Sequence, residues 1–239
     1  MIMRFAFSHK AYPKIILLII ILILLPAATY SQSESSINID QVPQKRIRRY
    51  LISNAFDKMR DFSLIHPSWK KGVKESDFRV IEKTFRLKDN PANVWNGYRH
   101  ANSVRMWSGR SVKFGLLISK FSNTVTYRNN DFFPEVDTGQ VYFLDLKMLK
   151  GLLNLPVAFE IINIDQEDQV IEFSYLENNK SQGKQSIRII GGRNGGTSII
   201  HKTYFRSSSA FRDDLYPFFH KRFIREFHRN MGRSIRKSA

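Results

Sequence analysis

The residues of this sequence whose types could do chemistry are its histidines, two clusters of carboxylates, one glycine-rich turn and a row of arginines. The histidines are His9, His66, His100, His201, His220 and His228, and none has a metal-ligand spacing such as H-E-x-x-H. There is no cysteine, which removes disulfides, thiolate metal sites and a cysteine nucleophile. His201 follows Ile199 and Ile200 in a β-rich stretch, so it is the first candidate for a polar group projecting into an apolar space. His220 and His228 lie among arginines and are expected at the surface. Asp131, Glu135 and Asp137 surround Phe132-Phe133-Pro134, and Asp165, Glu167 and Asp168 crowd one turn. An acid–base pair needs two such groups held close in different environments, whereas both clusters fit ordinary turn chemistry. Gly191-Gly192-Arg193-Asn194-Gly195-Gly196 leads into Thr197-Ser198-Ile199-Ile200, a strand, so it reads as a hairpin and not as a phosphate loop opening a helix. No catalytic residue, metal site or cofactor is assigned.

The arginines belong to the closing stretch, Asp213 to Arg236. Leu215, Phe219, Phe223, Phe227, Met231 and Ile235 fall mostly four apart, which places them on one face of a helix. Lys221, Arg222, Arg225, Arg229, Arg233 and Arg236 fall on the opposite face. Asp213 and Asp214 stand where a helix N-terminus favours negative charge. Of the basic set, Arg222, Arg225, Arg229 and Arg233 are the candidate contact for an anionic surface.

The elements that must position these groups follow from spacing and turn residues. Phe78 to Leu87 predicts a first strand. Asn90-Pro91 is a helix start, with Asn90 as cap and Pro91 in the first turn. Val94, Trp95, Tyr98 and Ala101 give a short helix, and Val104, Met106 and Trp107 a second helical turn. Strands are then predicted over Val112–Ser119, Thr124–Arg128, Gln140–Met148, Val157–Ile164, Val170–Leu176, Gln185–Ile190 and Thr197–Arg206. They are separated by turn-formers at short intervals, the mark of an antiparallel meander. The order of strand, two short helices, strands and one long helix is α+β: a curved antiparallel sheet closed on one face by the last helix.

Ahead of this domain, read as 76–239, lie three segments. Arg4, Lys10 and Lys14 precede an unbroken apolar run, Ile15 to Leu25, followed by small residues, so 1–31 is a secretory signal or an uncleaved anchor. The run is short of the ~20 residues that spanning needs, which favours cleavage. Residues 32–42 read as a linker. Residues 43–75 read as a helical extension, with Ile47, Leu51, Phe56, Met59 and Phe62 at helical spacing between Pro43 and Leu64. The chain is therefore expected to be exported to a bacterial periplasm or cell envelope, or held at the membrane if residues 15–30 stay attached.

Composition narrows the partners. The 239 residues carry 38 Lys and Arg against 21 Asp and Glu, a net +17, so the protein is drawn to polyanions. Residues 1–31 hold only three of these bases and no acid, so the charge belongs to the rest of the chain. Nucleic acid is not expected, because export puts the protein where DNA is rare and no recognition motif appears.

In element order the chain from about Phe78 to Arg236 resembles the START-like, helix-grip superfamily, which includes lipid-transfer START domains, the birch-pollen allergen group and polyketide cyclases. The opening strand followed by Asn90-Pro91-Ala92-Asn93-Val94-Trp95 carries most of it. Phe159 to Tyr175 and on to Ser207 is similar to an uncharacterised bacterial branch. The resemblance implies a hydrophobic cavity between sheet and closing helix that holds a lipid or another apolar small molecule. In that architecture Trp95, Tyr98, Phe173, Tyr175, His201, Phe205, Phe219, Phe223 and Phe227 are the expected cavity residues, and Arg222, Arg225, Arg229 and Arg233 face an anionic membrane or solvent. A non-catalytic binding protein is the first reading. A cyclase- or hydrolase-like enzyme using the same cavity, and a ligand-free structural or interaction protein with a basic surface, are the alternatives.

Overall fold

The computed structural model describes residues 36–238, and the leader read over 1–31 lies outside them. Among the described residues no helix is long and apolar enough to cross a membrane. Eight strands form one antiparallel sheet: β1 Arg79–Leu87, β2 Val112–Ser119, β3 Thr124–Tyr127, β4 Gln140–Met148, β5 Leu153–Asp165, β6 Val170–Tyr175, β7 Ser181–Gly191 and β8 Thr197–Ser207. Their order across the sheet is β1-β8-β7-β6-β5-β4-β2-β3. The helices are α1 Lys45–Ser53, α2 Pro91–Arg99, α3 Ser103–Met106 and α4 Ala210–Ser238.

Asn90 acts as the expected cap, accepting from the Asn93 N–H (2.9 Å) with Pro91 behind it. Asn102, not among the expected caps, caps α3 through the Arg105 N–H (3.1 Å). The predicted strands are all present. β5 starts at Leu153 and β7 at Ser181, four residues earlier than turn chemistry suggests. The extra length of β5 has no strand beside it on the β6 side, because β6 pairs only from Tyr175 back to Val170. Pro156 falls in this locally edge-like stretch, where a missing N–H is tolerated.

Two cores lie on the two faces of the sheet. On the concave face α2, α3 and α4 bury Trp95, Tyr98, Met106, Phe227, Met231 and Ile235 against Phe114, Tyr142, Phe159 and Ile187. On the other face the N-terminal segment buries Ile47, Leu51, Phe56 and Phe62 against Leu116, Ile118, Val141, Phe143 and Ala158. In β4 the two cores alternate along the strand, with Tyr142 and Leu144 in one and Val141 and Phe143 in the other. That is the period of two expected of a strand covered on both faces.

The N-terminal segment departs from its sequence reading in two ways. The helix predicted from Pro43 to Leu64 stops at Ser53. Asn54 turns its side-chain amide back onto the Tyr50 carbonyl, and Ala55 takes a left-handed backbone (φ 57°). The apolar residues beyond it reach the sheet from short 3-10 turns at Phe56–Lys58 and Phe62–Leu64. The stretch read as a linker also packs: Ile37 and Val42 are buried, and the Asn38 N–H donates to the Tyr127 hydroxyl (2.6 Å). Lys120 pins the far end of this layer by donating to the Ile65 carbonyl (2.8 Å) and to Glu160 (2.9 Å). The described residues thus pack as one unit with no break near residue 75. Leu51 is fully buried in this layer, so Leu51→Ala is expected to lower unfolding stability by roughly 2–5 kcal/mol in urea titration. A loss below about 0.5 kcal/mol, the scale of a surface change, would mean the layer is not part of the cooperative fold.

Candidate functional site

A cavity of about 600 Å³ opens between the first half of α4 and the ends of β4 and β5. It exists because β6 stops at Tyr175 while β5 runs on toward Leu153, leaving a gap beside β5. Asn179 fills part of that gap: its side chain both accepts from the Ala158 N–H (3.2 Å) and donates to the Ala158 carbonyl, as a neighbouring strand would. Leu146, Met148, Val157, Phe219 and Phe223 make the wall apolar, and Tyr175, Tyr216 and His220 supply its polar groups. Around the mouth Phe211 (72%), Leu149 (49%) and Leu153 (49%) remain exposed.

Of the residues predicted to line a cavity, Tyr175, Phe219 and Phe223 do so. Tyr98, Phe173 and Phe227 instead surround a separate void of about 20 Å³, room for about one water. Trp95 is buried with its indole N–H on Gln166 (3.0 Å), and Phe205 stacks beneath Tyr216 (centroids 4.0 Å apart). The cause is that α2 and α3 occupy the concave face under the second half of α4. Trp107 stacks on Phe227 there (4.2 Å), so the larger volume lies under the first half.

His201 lies behind the wall, in a chain of hydrogen bonds that ends at the cavity. The Gln185 amide donates to the Tyr175 hydroxyl (2.9 Å), so its oxygen faces His201 Nε2 (2.8 Å). A carbonyl oxygen only accepts, hence His201 carries its proton on Nε2. Nδ1 of the neutral ring then accepts from His228 Nε2 (2.8 Å), and His228 Nδ1 accepts from the Tyr98 hydroxyl (2.6 Å). At the other end the Tyr175 and Tyr216 hydroxyls share a hydrogen bond in which either can donate. The bonds from Tyr98 to Tyr175 run one way, and in either direction of that last bond one of the two hydroxyl protons is left over at the cavity wall, which both tyrosines line. Beside it, His220 pairs through Nε2 with the Thr203 hydroxyl (2.9 Å) and stacks on Tyr216 (4.9 Å).

Burial sets the charge states. His220 and His228 are each pushed down to about 3 by desolvation, with a further push on His228 from His220. Desolvation and the two neighbouring imidazoles hold His201 well below the usual range. Tyr175 is pushed up to about 12 by burial, partly offset by its bond to Tyr216. These groups are neutral near pH 7. The surface placement read for His220 and His228 is therefore corrected: they are 6% and 3% exposed. α4 is covered by the sheet on one side and by α2 and α3 on another, so its buried arc is wider than the single stripe of Phe219, Phe223 and Phe227.

The same width draws in Glu226, whose position between Arg225 and Phe227 gave no sign of a role. Its carboxylate is 4% exposed and accepts from the backbone N–H groups of Ser111 (2.9 and 3.1 Å) and Val112 (3.0 Å). Arg222 is half-buried beside it, donating through Nε to the Ser111 hydroxyl (2.8 Å). Arg225, Arg229 and Arg233 are exposed. The carboxylate clusters do not converge on a site: Asp165 caps its own turn through the Glu167 and Asp168 N–H groups, and Glu135 pairs with exposed His100. The glycine-rich stretch is the β7–β8 hairpin, closed by the Gly192 N–H on the Gly196 carbonyl (2.7 Å). Among the described residues no cluster of three or more metal-ligating side chains occurs.

No protein-family model matches the chain, and no curated protein matches it in sequence. Solved structures do. Norcoclaurine synthase from Thalictrum flavum, in complex with dopamine and hydroxybenzaldehyde, superposes with a TM-score of 0.50 at 11% identity over 72% of this chain and 95% of that one. The ginseng major latex-like protein 151 from Panax ginseng (TM-score 0.47, 11% identity, 64% and 95%) and Ara h 8.0201 (0.46, 12%, 66% and 97%) are similar at a lower level. The chain has the helix-grip fold, a curved antiparallel sheet around a long C-terminal helix.

Proposed function

We propose that this protein is an exported, non-catalytic binding protein that holds an apolar or lipid-like ligand between its sheet and its C-terminal helix. The observation that carries the reading is the cavity of about 600 Å³, with an apolar wall and a few grouped hydroxyl and imidazole partners. That is the usual make-up and size of a small-molecule site. The leftover hydroxyl donor of the Tyr175–Tyr216 pair suits a ligand with a carbonyl, carboxylate or phosphate oxygen near its buried part. Binding is favoured over proton-transfer chemistry because an effective acid or base titrates near the working pH. The buried imidazoles lie far below it and Tyr175 far above. The basic surface, with Arg225, Arg229 and Arg233 exposed, suits docking on an anionic envelope membrane.

The test is mass spectrometry of organic extracts of the purified protein, together with displacement of the neutral fluorophore N-phenyl-1-naphthylamine. Co-purified apolar molecules and saturable displacement are expected. Val157→Trp, which fills the wall, should weaken binding by about tenfold or more, a loss of at least about 1.4 kcal/mol. Empty extracts, with no saturable probe binding by a folded protein, would overturn the reading.

A further inference from the structure

A second groove, of about 430 Å³, adjoins the cavity and shares Arg46, Asn154, Leu155, Pro156 and Lys180 with its wall. Arg46 and Arg49 come from α1, the helix of the N-terminal layer, three residues apart and so on one face of it. Lys180 reaches in from the β6–β7 loop, and Arg212 lines the cavity from the first turn of α4. Among the described residues no carboxylate lines either space. Arg49, Lys180 and Arg212 have no hydrogen bond or ion pair among the described residues. Arg46 acts only at longer range, on buried Asp145. Three cations thus line the groove (Arg46, Arg49 and Lys180) and three the cavity (Arg46, Lys180 and Arg212), with little to neutralise them. Asn154 also stands on the shared wall.

We infer that the two spaces form one site, and that its ligand is an anionic amphiphile with its chain in the cavity and its carboxylate or phosphate in the α1 groove. This rests on the cavity holding an apolar ligand and adds the headgroup. Two guanidinium groups are suited to carboxylate and phosphate oxygens, which they bind through paired hydrogen bonds. On this account α1 does more than cover the far face of the sheet: it makes the site selective for charge.

The experiment displaces N-phenyl-1-naphthylamine from the full chain with tetradecanol, tetradecanoate and tetradecyl phosphate. The anions are expected to bind about tenfold or more tightly than the alcohol. The double variant Arg49→Gln/Lys180→Gln should abolish that preference by weakening the anions, with the loss read as the ratio of anion to alcohol affinity. Arg225→Gln/Arg229→Gln removes the same charge from exposed positions of α4 and should preserve it, which separates local recognition from the attraction of a +17 protein. Inorganic phosphate should compete far more weakly than tetradecyl phosphate. Equal affinity for alcohol and anions, equal loss in both double variants, or equal potency of inorganic phosphate would each overturn the inference and leave the cavity reading standing. Failure of every chain-bearing probe would overturn the cavity reading, and this inference with it.

Discussion

Acidification from pH 7 to pH 5 is expected to remove on the order of 4 kcal/mol or more of folding stability, against a typical total of about 5–15 kcal/mol. The sign follows from burial. An unfolded histidine takes up a proton near pH 6.5, whereas His220 and His228 stay neutral down to about 3 because desolvation opposes the imidazolium form. Below pH 6.5 the unfolded chain therefore binds more protons than the folded one. Stability is fully present above that point and is lost as pH falls toward the depressed values. Each histidine that stays neutral costs about 1.4 kcal/mol per pH unit, or about 2 kcal/mol by pH 5. His201 adds to the loss in the same direction. The groups facing the three rings are Tyr98, Thr203, Gln185 and Tyr216, none of them a carboxylate that would hold a proton on the ring. Asp145 and Glu160 act in the opposite sense. Burial raises both, so they take up protons in the folded state first and offset part of the loss as pH falls. Urea titrations at pH 7, 6 and 5 measure the effect, and His220→Asn should flatten the slope by about 1.4 kcal/mol per pH unit. Stability independent of pH over this range, or resonances assigned to His201, His220 and His228 titrating near 6.5, would show that the rings are not sealed from water.

Removing the Glu226 carboxylate should be strongly destabilising. Glu226→Ala strands the Ser111 and Val112 N–H groups in a buried place, at about 1–3 kcal/mol for each orphaned donor. Glu226→Gln keeps the shape but offers only one acceptor oxygen where the carboxylate offers two, so an intermediate loss is expected. Gly109 belongs to the same clasp. A Cβ built there would come within 2.1 Å of the Glu226 carboxylate, so Gly109→Ala should be destabilising although the residue is far from the cavity. Thermal unfolding of the three variants tests this. A Glu226→Ala protein as stable as the parent would mean that the loop before β2 does not hang on α4.

The clasp and the histidine chain share an origin that bears on how the site arises. α4 is held from more than one side, so side chains adjacent to its apolar stripe are buried as well. Once buried, such polar groups must find partners. The imidazoles find each other, Tyr98 and Gln185; Glu226 finds backbone N–H groups. The open volume beneath the first turns of α4 is what remains where α2 and α3 no longer reach.

Local rules were enough for much of this protein. Asn90 marks the start of α2 because its short side chain satisfies an N–H group that a helix start leaves unpaired. Alternation and turn residues place all eight strands, and the four-residue rhythm of Phe219, Phe223 and Phe227 places the inner face of α4, because these periods are properties of the backbone itself. What the chain does with the neighbours of those residues depended on contacts between distant segments. His220 and His228 sit among arginines in sequence, and only the wrapping of the sheet and two helices around α4 takes them out of water. The early end of α1, the burial of Ile37 and Val42, and the placing of Arg46, Arg49, Lys180 and Arg212 along two adjoining spaces are likewise decided by packing across the sheet. No local period encodes which segments, far apart along the chain, will share a wall.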